Sequence, residues 1–247
     1  TYVEGVVGQP GQLNPLLSGF ERPDQAICSL VFSGLTRLNA RGEVEPDLAS
    51  DWQISDDGLS YTFRLRTNAR WHDGTPVTAD DVILTIRLLQ DPDFPGPPEL
   101  GAEVWRRVEI EKVDRRTVRF VLPEPFAPFL DYTTVGILPS HKIAGVRAAD
   151  LPEAGFNLSP VGSGPFQVEE IETQDGTITS IVLKHFPRYF RARSYLDRVQ
   201  FRFYRGAREA LEAYEAGEVQ GVAEVRPDDL SIAAELSTLD LYSAQIA

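Results

Sequence analysis

Apolar and polar residues alternate through the middle of the chain. Trp52 and Ile54 stand among polar Gln53 and Ser55, and Tyr61, Phe63 and Leu65 take every second place of the run 61–66. A period of two buries one face and solvates the other, so both runs predict strands. Asp56-Asp57-Gly58 lies between them. Its glycine is free to take positive φ, and the segment predicts a hairpin. Val108 to Val113 and Thr117 to Leu122 repeat the pattern around Asp114-Arg115-Arg116 and predict a second hairpin.

Between the hairpins the period lengthens. Val82, Ile83, Ile86 and Leu89 make the stripe of a helix. Thr78 stands as its N-cap, with Asp81 in the capping-box position and Asp80 also in the first turn. Asp91-Pro92 ends it, because proline disfavours helical backbone in the residue before it. Residues 91–101 read as an irregular loop. Pro123, Pro125 and Pro128, interleaved with Phe126, Phe129 and Leu130, predict a packed loop entering a short helix.

Beyond Pro160 the pattern changes again. Gly162-Ser163-Gly164-Pro165 predicts a tight turn, and 178–183 and 199–204 read as strands. Ala207, Ala210, Leu211 and Tyr214 line one helix face, closed by Gly217 as a left-handed cap. With the short apolar run 219–223 they predict a βαβ unit. The whole is a mixed α/β chain, hairpin-rich in the middle, which argues for two lobes rather than one layered domain. Thr1 to Val7 opens as a strand without lead-in and Leu239 to Ala247 closes as one without a terminator. There is no methionine, and the expectation is a portion of a longer protein.

Composition narrows the function classes. At 247 residues, 42% hydrophobic and 25% charged, the chain has room for a core without staples. One cysteine, Cys28, excludes an intramolecular disulfide and a thiolate zinc site. A net charge of −13 has the wrong sign for a phosphate-backbone binder, so no nucleic-acid partner is expected. That charge reads as a solubility feature and names no ligand. No run approaches the ~20 apolar residues of a membrane span.

Candidate chemistry is sparse. His72, His141 and His185 form no short metal motif, and His72-Asp73 reads as a turn in which Asp73 bonds nearby backbone. Gly162-Ser163-Gly164 lacks the spacing of a nucleophile elbow. Cys28 sits among Ala26, Ile27, Leu30 and Val31 as a small buried hydrophobe. No glycine loop runs into Lys-Ser or Lys-Thr. No catalytic residue, cofactor or metal is therefore assigned. Trp71 follows the strand pattern and reads as core. Trp105 follows the loop Pro97 to Gly101 and is expected to line a cleft.

A series of motifs carries a resemblance. Leu13-Asn14-Pro15 is followed by Leu30-Val31-Phe32-Ser33-Gly34-Leu35 and Pro46-Asp47-Leu48-Ala49-Ser50-Asp51-Trp52. Then come Ser55 to Phe63, Trp71-His72-Asp73-Gly74-Thr75-Pro76-Val77-Thr78-Ala79-Asp80-Asp81-Val82, Thr117-Val118-Arg119-Phe120, Gly162-Ser163-Gly164-Pro165-Phe166 and Tyr195-Leu196-Asp197-Arg198-Val199. In this order they resemble the extracellular solute-binding proteins of family 5, the oligopeptide, dipeptide and nickel receptors of ABC importers.

The resemblance implies a type II periplasmic-binding-protein fold, present as its first lobe plus a small accessory lobe, with the second main lobe missing. Residues 1–43 and 160–247 would form the first lobe and 44–159 the accessory one. Phe20, Glu21 and Arg22 match the loop that reaches the ligand in relatives and are, with Trp105, the expected solute-binding residues. Gly162 and Gly164 match a crossover segment, where glycine is expected to permit unusual backbone angles. The implied protein is no enzyme. It captures a peptide-like solute by lobe closure outside the cytoplasm and delivers it to the permease subunits of an ABC importer, with at most a lipid anchor to the membrane. The alternatives are the same fold used as a ligand-sensing regulatory module, or a cleft hydrolase.

Overall fold

The structure is a computed structural model of the chain. It describes residues 1–19, 23–223, 225–234, 236 and 238–242. In chain order the strands are β1 (Tyr2–Val7), β2 (Thr36–Leu38), β3 (Val44–Pro46), β4 (Ala49–Ile54), β5 (Ser60–Leu65), β6 (Glu109–Lys112), β7 (Thr117–Val121), β8 (Phe166–Gln174), β9 (Thr177–His185), β10 (Arg198–Tyr204) and β11 (Gly221–Ala223). Helix α1 spans Pro23–Val31 and α2 spans Ala79–Gln90. The chain divides into two compact units. The first holds Thr1–Pro10, Glu169–Leu183 and the chain from Leu196 onward; the second holds Gly11–Val168 and Lys184–Tyr195.

The first unit carries a five-stranded sheet of order β11-β1-β10-β9-β8. The predicted βαβ unit is β10, the helix Ala207–Glu215 and β11. Its two strands are not neighbours. β1 lies between them, parallel to both, with Glu4 opposite Phe201 on one side and Gly221 on the other. The helix ends as its sequence predicts, with Gly217 at φ 74°. Of the strand expected over residues 239–247, Leu239–Tyr242 has no regular structure and residues 243–247 lie outside the described residues.

In the second unit the two predicted hairpins join edge to edge in the antiparallel order β4-β5-β7-β6. Tyr61 pairs with Phe120 and Phe63 with Val118. Tyr61, Phe63, Leu65, Val118, Phe120 and Leu122 are all buried, so the period of two chose the inward face correctly. Gly58 takes the positive φ of 71° that its turn requires. Helix α2 packs against β6 and β7 with Val82, Ile86 and Leu89 fully buried.

Thr78 and Asp81 form the capping box. Asp81 does more than cap. Its Oδ2 accepts from Thr78 N (2.7 Å), Thr78 Oγ1 (3.2 Å) and the indole Nε1 of Trp71 (3.3 Å), and its Oδ1 accepts from Ser140 N (2.8 Å). Asp73 behaves as its turn suggests, accepting from Thr75 N at 3.0 Å. Burial raises its carboxyl, but hydrogen bonds from His141, Thr75 and Lys142 outweigh that and hold it well below the usual carboxylate range.

The segment 162–165 is tied to residues 30–31 and to His72. Gly164 N donates to Val31 O at 2.8 Å. A Cβ at Gly162 would overlap the Val31 carbonyl, and one at Gly164 the Leu30 carbonyl. Neither glycine is among those with positive φ, so the expected reason is corrected. Close backbone approach, not an unusual angle, is what excludes a side chain.

His72 closes the same contact. Its N–H donates to Gly162 O at 2.8 Å, and its ring Nδ1 accepts from Gly162 N at 3.1 Å. Ring Nε2 lies 3.1 Å from Gly164 O and must donate to it, since a carbonyl only accepts. Both ring nitrogens are therefore committed to the neutral form. Burial pushes the imidazole down to about 4. Burial pushes Asp47 up, to about 6, against the pull of Arg191, whose Nη1 stands 3.6 Å from Oδ1.

The two groups act oppositely on acidification. Unfolding lets His72 gain a proton between pH 6.5 and about 4, so its share of stability falls by about 3 kcal/mol as pH drops through that window. Folded Asp47 takes up its proton near 6, before the unfolded carboxyl does, and so offsets most of that loss. Wild type should show a shallow slope between pH 6.5 and 4 in urea unfolding. Asp47→Asn should unmask a steep fall over the same range; a flat profile in that variant would refute the role given to His72.

Candidate functional site

The second unit carries a groove of about 430 Å³. Three stretches build it. Gln25, Cys28, Ser29 and Phe32 come from α1 and the residue after it, Pro97, Glu99 and Leu100 from the loop after α2, and Pro128 to Gly136 supplies the third side. Pro15, Ser18 and Leu38 complete it.

Each stretch is held by local chemistry. Asn14, fully buried, accepts from Leu16 N through Oδ1 (3.0 Å) and donates from Nδ2 to Asn157 Oδ1 (2.9 Å). Leu17 N and Ser18 N donate to its carbonyl. The Leu-Asn-Pro motif is thus a clamp that presents Ser18 to the groove. Gly101, at φ 71°, closes the turn Pro98–Leu100. Thr133 binds the third stretch to β2: its carbonyl accepts from Leu35 N and Thr36 N, and its hydroxyl lies 2.6 Å from that of Thr36.

The lining is mainly apolar, with Phe32, Leu38, Leu100, Tyr132 and Val135 as its larger surfaces. Leu38 is 52% exposed there, an aliphatic side chain left for something else to cover. Cys28 lies at the wall, and burial pushes its thiol up to about 12. It is protonated at neutral pH and no nucleophile. The arrangement suits non-covalent capture of an apolar body.

The expected site residues fall as follows. Phe20, Glu21 and Arg22 lie outside the described residues; their chain neighbours Ser18 and Gln25 both line the groove. Trp105 is not on its surface. It is 0% exposed, with ring centroids 5.4 Å from Phe129 and 5.5 Å from Phe120. The loop it follows does line the groove, through Pro97, Glu99 and Leu100, but the short helix Ala102–Trp105 turns the indole into the core. Tyr132 and Leu38 were missed. Nothing in their local patterns separates a groove wall from an ordinary half-buried position.

The mixed α/β fold is that of the type II periplasmic binding proteins. It superposes on the oligopeptide-binding protein AppA of Bacillus subtilis, solved in complex with a nonapeptide, with a TM-score of 0.82 at 29% identity, covering 95% of this chain and 46% of that one. For NikZ of Campylobacter jejuni, solved with Ni(L-His), the values are 0.81 and 25%, covering 96% and 45%. The sequence of AppA from B. subtilis strain 168 is 31% identical over 220 residues, 88% of this chain and 39% of AppA. The dipeptide-binding protein of Escherichia coli K12 is 30% identical over 215 residues, 76% of this chain and 38% of that protein. The chain therefore spans about two fifths of the length of these relatives. The family model described as bacterial extracellular solute-binding proteins, family 5 Middle, matches residues 43–246. The chain belongs to this family, whose members are solute-binding receptors and not enzymes.

Proposed function

We propose that the chain is the N-terminal part of an extracytoplasmic receptor that captures a peptide-like solute and delivers it to an ABC importer. The observation that carries this reading is the match of the fold, over 95% of the chain, to a receptor solved around a nonapeptide. The groove beside Ser18 and Gln25 is then one wall of the solute cleft. The other wall comes from the remainder of the receptor, which closes on the solute by rotation about a hinge. Phe20, Glu21 and Arg22 remain the proposed solute-binding residues, because the loop after Leu13-Asn14-Pro15 matches the one that reaches the ligand in relatives. Trp105 supports the groove from behind.

The main lobe would be 1–43 with 160–247 and the accessory lobe 44–159. All strands of the five-stranded sheet lie within the first of these and all strands of the four-stranded sheet within the second, which favours this division. The ribbon of β2 and β3 crosses the boundary at 43, and residues 11–43 belong to the same compact unit as the four-stranded sheet. Secretion fits the family, and among the described residues no helix is long and apolar enough to cross a membrane.

Calorimetric titration of the intact protein with mixed di- to oligopeptides should give saturable heat, with Kd of about 1 μM or tighter for its preferred solutes. Flat titrations with every peptide, with a nickel chelate and with sugars would overturn the receptor reading.

A further inference from the structure

We infer that His72 is a positioning residue of the groove: its neutral imidazole latches the segment 162–165 against the end of α1, and its protonation loosens that wall. What the groove holds rests on the receptor reading above. The latch itself does not.

Three pieces of chain within the second unit make the latch. Helix α1 lends Gln25, Cys28 and Ser29 to the groove, and Phe32 follows directly after it. The last carbonyls of a helix have no partner inside it. Here Val31 O accepts from Gly164 N at 2.8 Å, so the segment 162–165 caps the helix. His72 holds that segment in place. Its Nδ1 accepts from Gly162 N and its Nε2 donates to Gly164 O, each at 3.1 Å. The side chain between the two glycines adds no polar tie. The Ser163 hydroxyl is fully buried and has no hydrogen-bond partner among the described residues.

A proton on Nδ1 turns the arrangement against itself. Nδ1–H then faces the Gly162 N–H, donor against donor. The ring must turn away, and the Gly164 bond goes with it. His72 keeps partial solvent exposure, so a proton reaches it without unfolding. Burial opposes that proton, while the Gly164 carbonyl and Asp73 favour it, and burial prevails. Asp73 is itself held by His141 and Lys142. The segment 162–165 brings no ionisable side chain, and the last turn of α1 brings only Cys28. The stretch 184–191 packs Phe186 against the imidazole, with ring centroids 4.9 Å apart. Its titratable groups are Lys184, His185, Arg188, Tyr189 and Arg191, and Arg191 is paired with Glu45 and Asp47.

Amide hydrogen exchange, read residue by residue by NMR on the intact protein, tests the latch. Protection of Gly162 and Gly164, corrected for the intrinsic effect of pH, should fall about tenfold between pH 6.5 and 4, the loss expected for one hydrogen bond. Phe32, whose N–H closes the last turn of α1 on Cys28 O, should fall with them, while Phe63 and Phe120 in the four-stranded sheet keep their protection. At pH 7.5, His72→Phe keeps a ring against Phe186 but offers neither donor nor acceptor, and should show the same loss without acid. His72→Asn offers Oδ1 to Gly162 N and does not titrate. It should retain most of the Gly162 protection at pH 7.5 and change less than about twofold at pH 4, which decides the matter if the phenylalanine variant fails to fold. Constant protection in wild type, a fall shared equally by the sheet, or a fall that persists in His72→Asn would overturn the latch. A fall at the glycines that leaves Phe32 unchanged would detach it from the groove wall and overturn the positioning role. Exchange needs no solute, so failure here is distinct from flat titrations, which overturn the receptor reading alone.

Discussion

Asp81→Ala should lower the unfolding free energy by about 4 kcal/mol, since a helix cap contributes about 1 and each buried donor left without its acceptor costs about 1–3. Asp81 is 2% exposed, and its two oxygens accept from the Thr78 backbone and hydroxyl, the Trp71 indole and the Ser140 backbone. No water can replace them without entry to the core. Asp81→Asn keeps one carbonyl oxygen and should retain about half of the stability that Asp81→Ala loses, which keeps the measurement possible if the alanine variant fails to fold. Urea unfolding followed by circular dichroism gives both numbers. A loss under about 1 kcal/mol for Asp81→Ala would reduce Asp81 to an ordinary cap.

Trp105→Ala should cost about 3–5 kcal/mol, the range for emptying a buried aromatic site. The indole is enclosed by Phe120 and Phe129, which in turn meet Phe63 and Tyr61 on the sheet. Trp105→Phe should cost less. It shrinks the ring, but it also removes an indole N–H that has no hydrogen-bond partner in the core. Neither variant, once folded, should change peptide affinity by more than about twofold, because no solute reaches a fully buried ring. This separates support from contact. A Trp105→Phe protein of normal stability with affinity reduced tenfold or more would return Trp105 to the cleft surface.

The hairpins 52–66 and 108–122 and the helix from Thr78 to Asp91 were legible because their signals are local. A period of two, a period near 3.6, a capping box and a proline stop each act within a few residues. Trp105 was misplaced for the complementary reason. Its neighbours are polar and a loop precedes it, yet its burial is decided by Phe120 and Phe129, respectively 15 and 24 positions further along the chain. The crossover glycines show the same split. Their presence marks a special backbone, but whether the cause is an angle or a close approach depends on where residues 30–31 lie. His72 read as part of a turn, and the turn is there. Its grip on Gly162 and Gly164 joins positions some ninety residues apart and leaves no local trace.

By itself, the sequence determined the two hairpins and the capped helix of the second unit, the exclusion of an intramolecular disulfide and a thiolate zinc site, and, through an ordered series of motifs, the family; α1 and the ribbon of β2 and β3 were not legible in it. Periodicity, capping and turn chemistry are short-range forces, and a motif series is a record of many such local requirements. Only the tertiary structure decided that β1 threads between β10 and β11, that Asp81 gathers donors from three segments, and that His72 grips Gly162 and Gly164. Those outcomes depend on which distant surfaces are brought together. The physical reason is that burial and charge pairing are properties of the packed neighbourhood, and a residue's neighbours in space are not its neighbours in the chain.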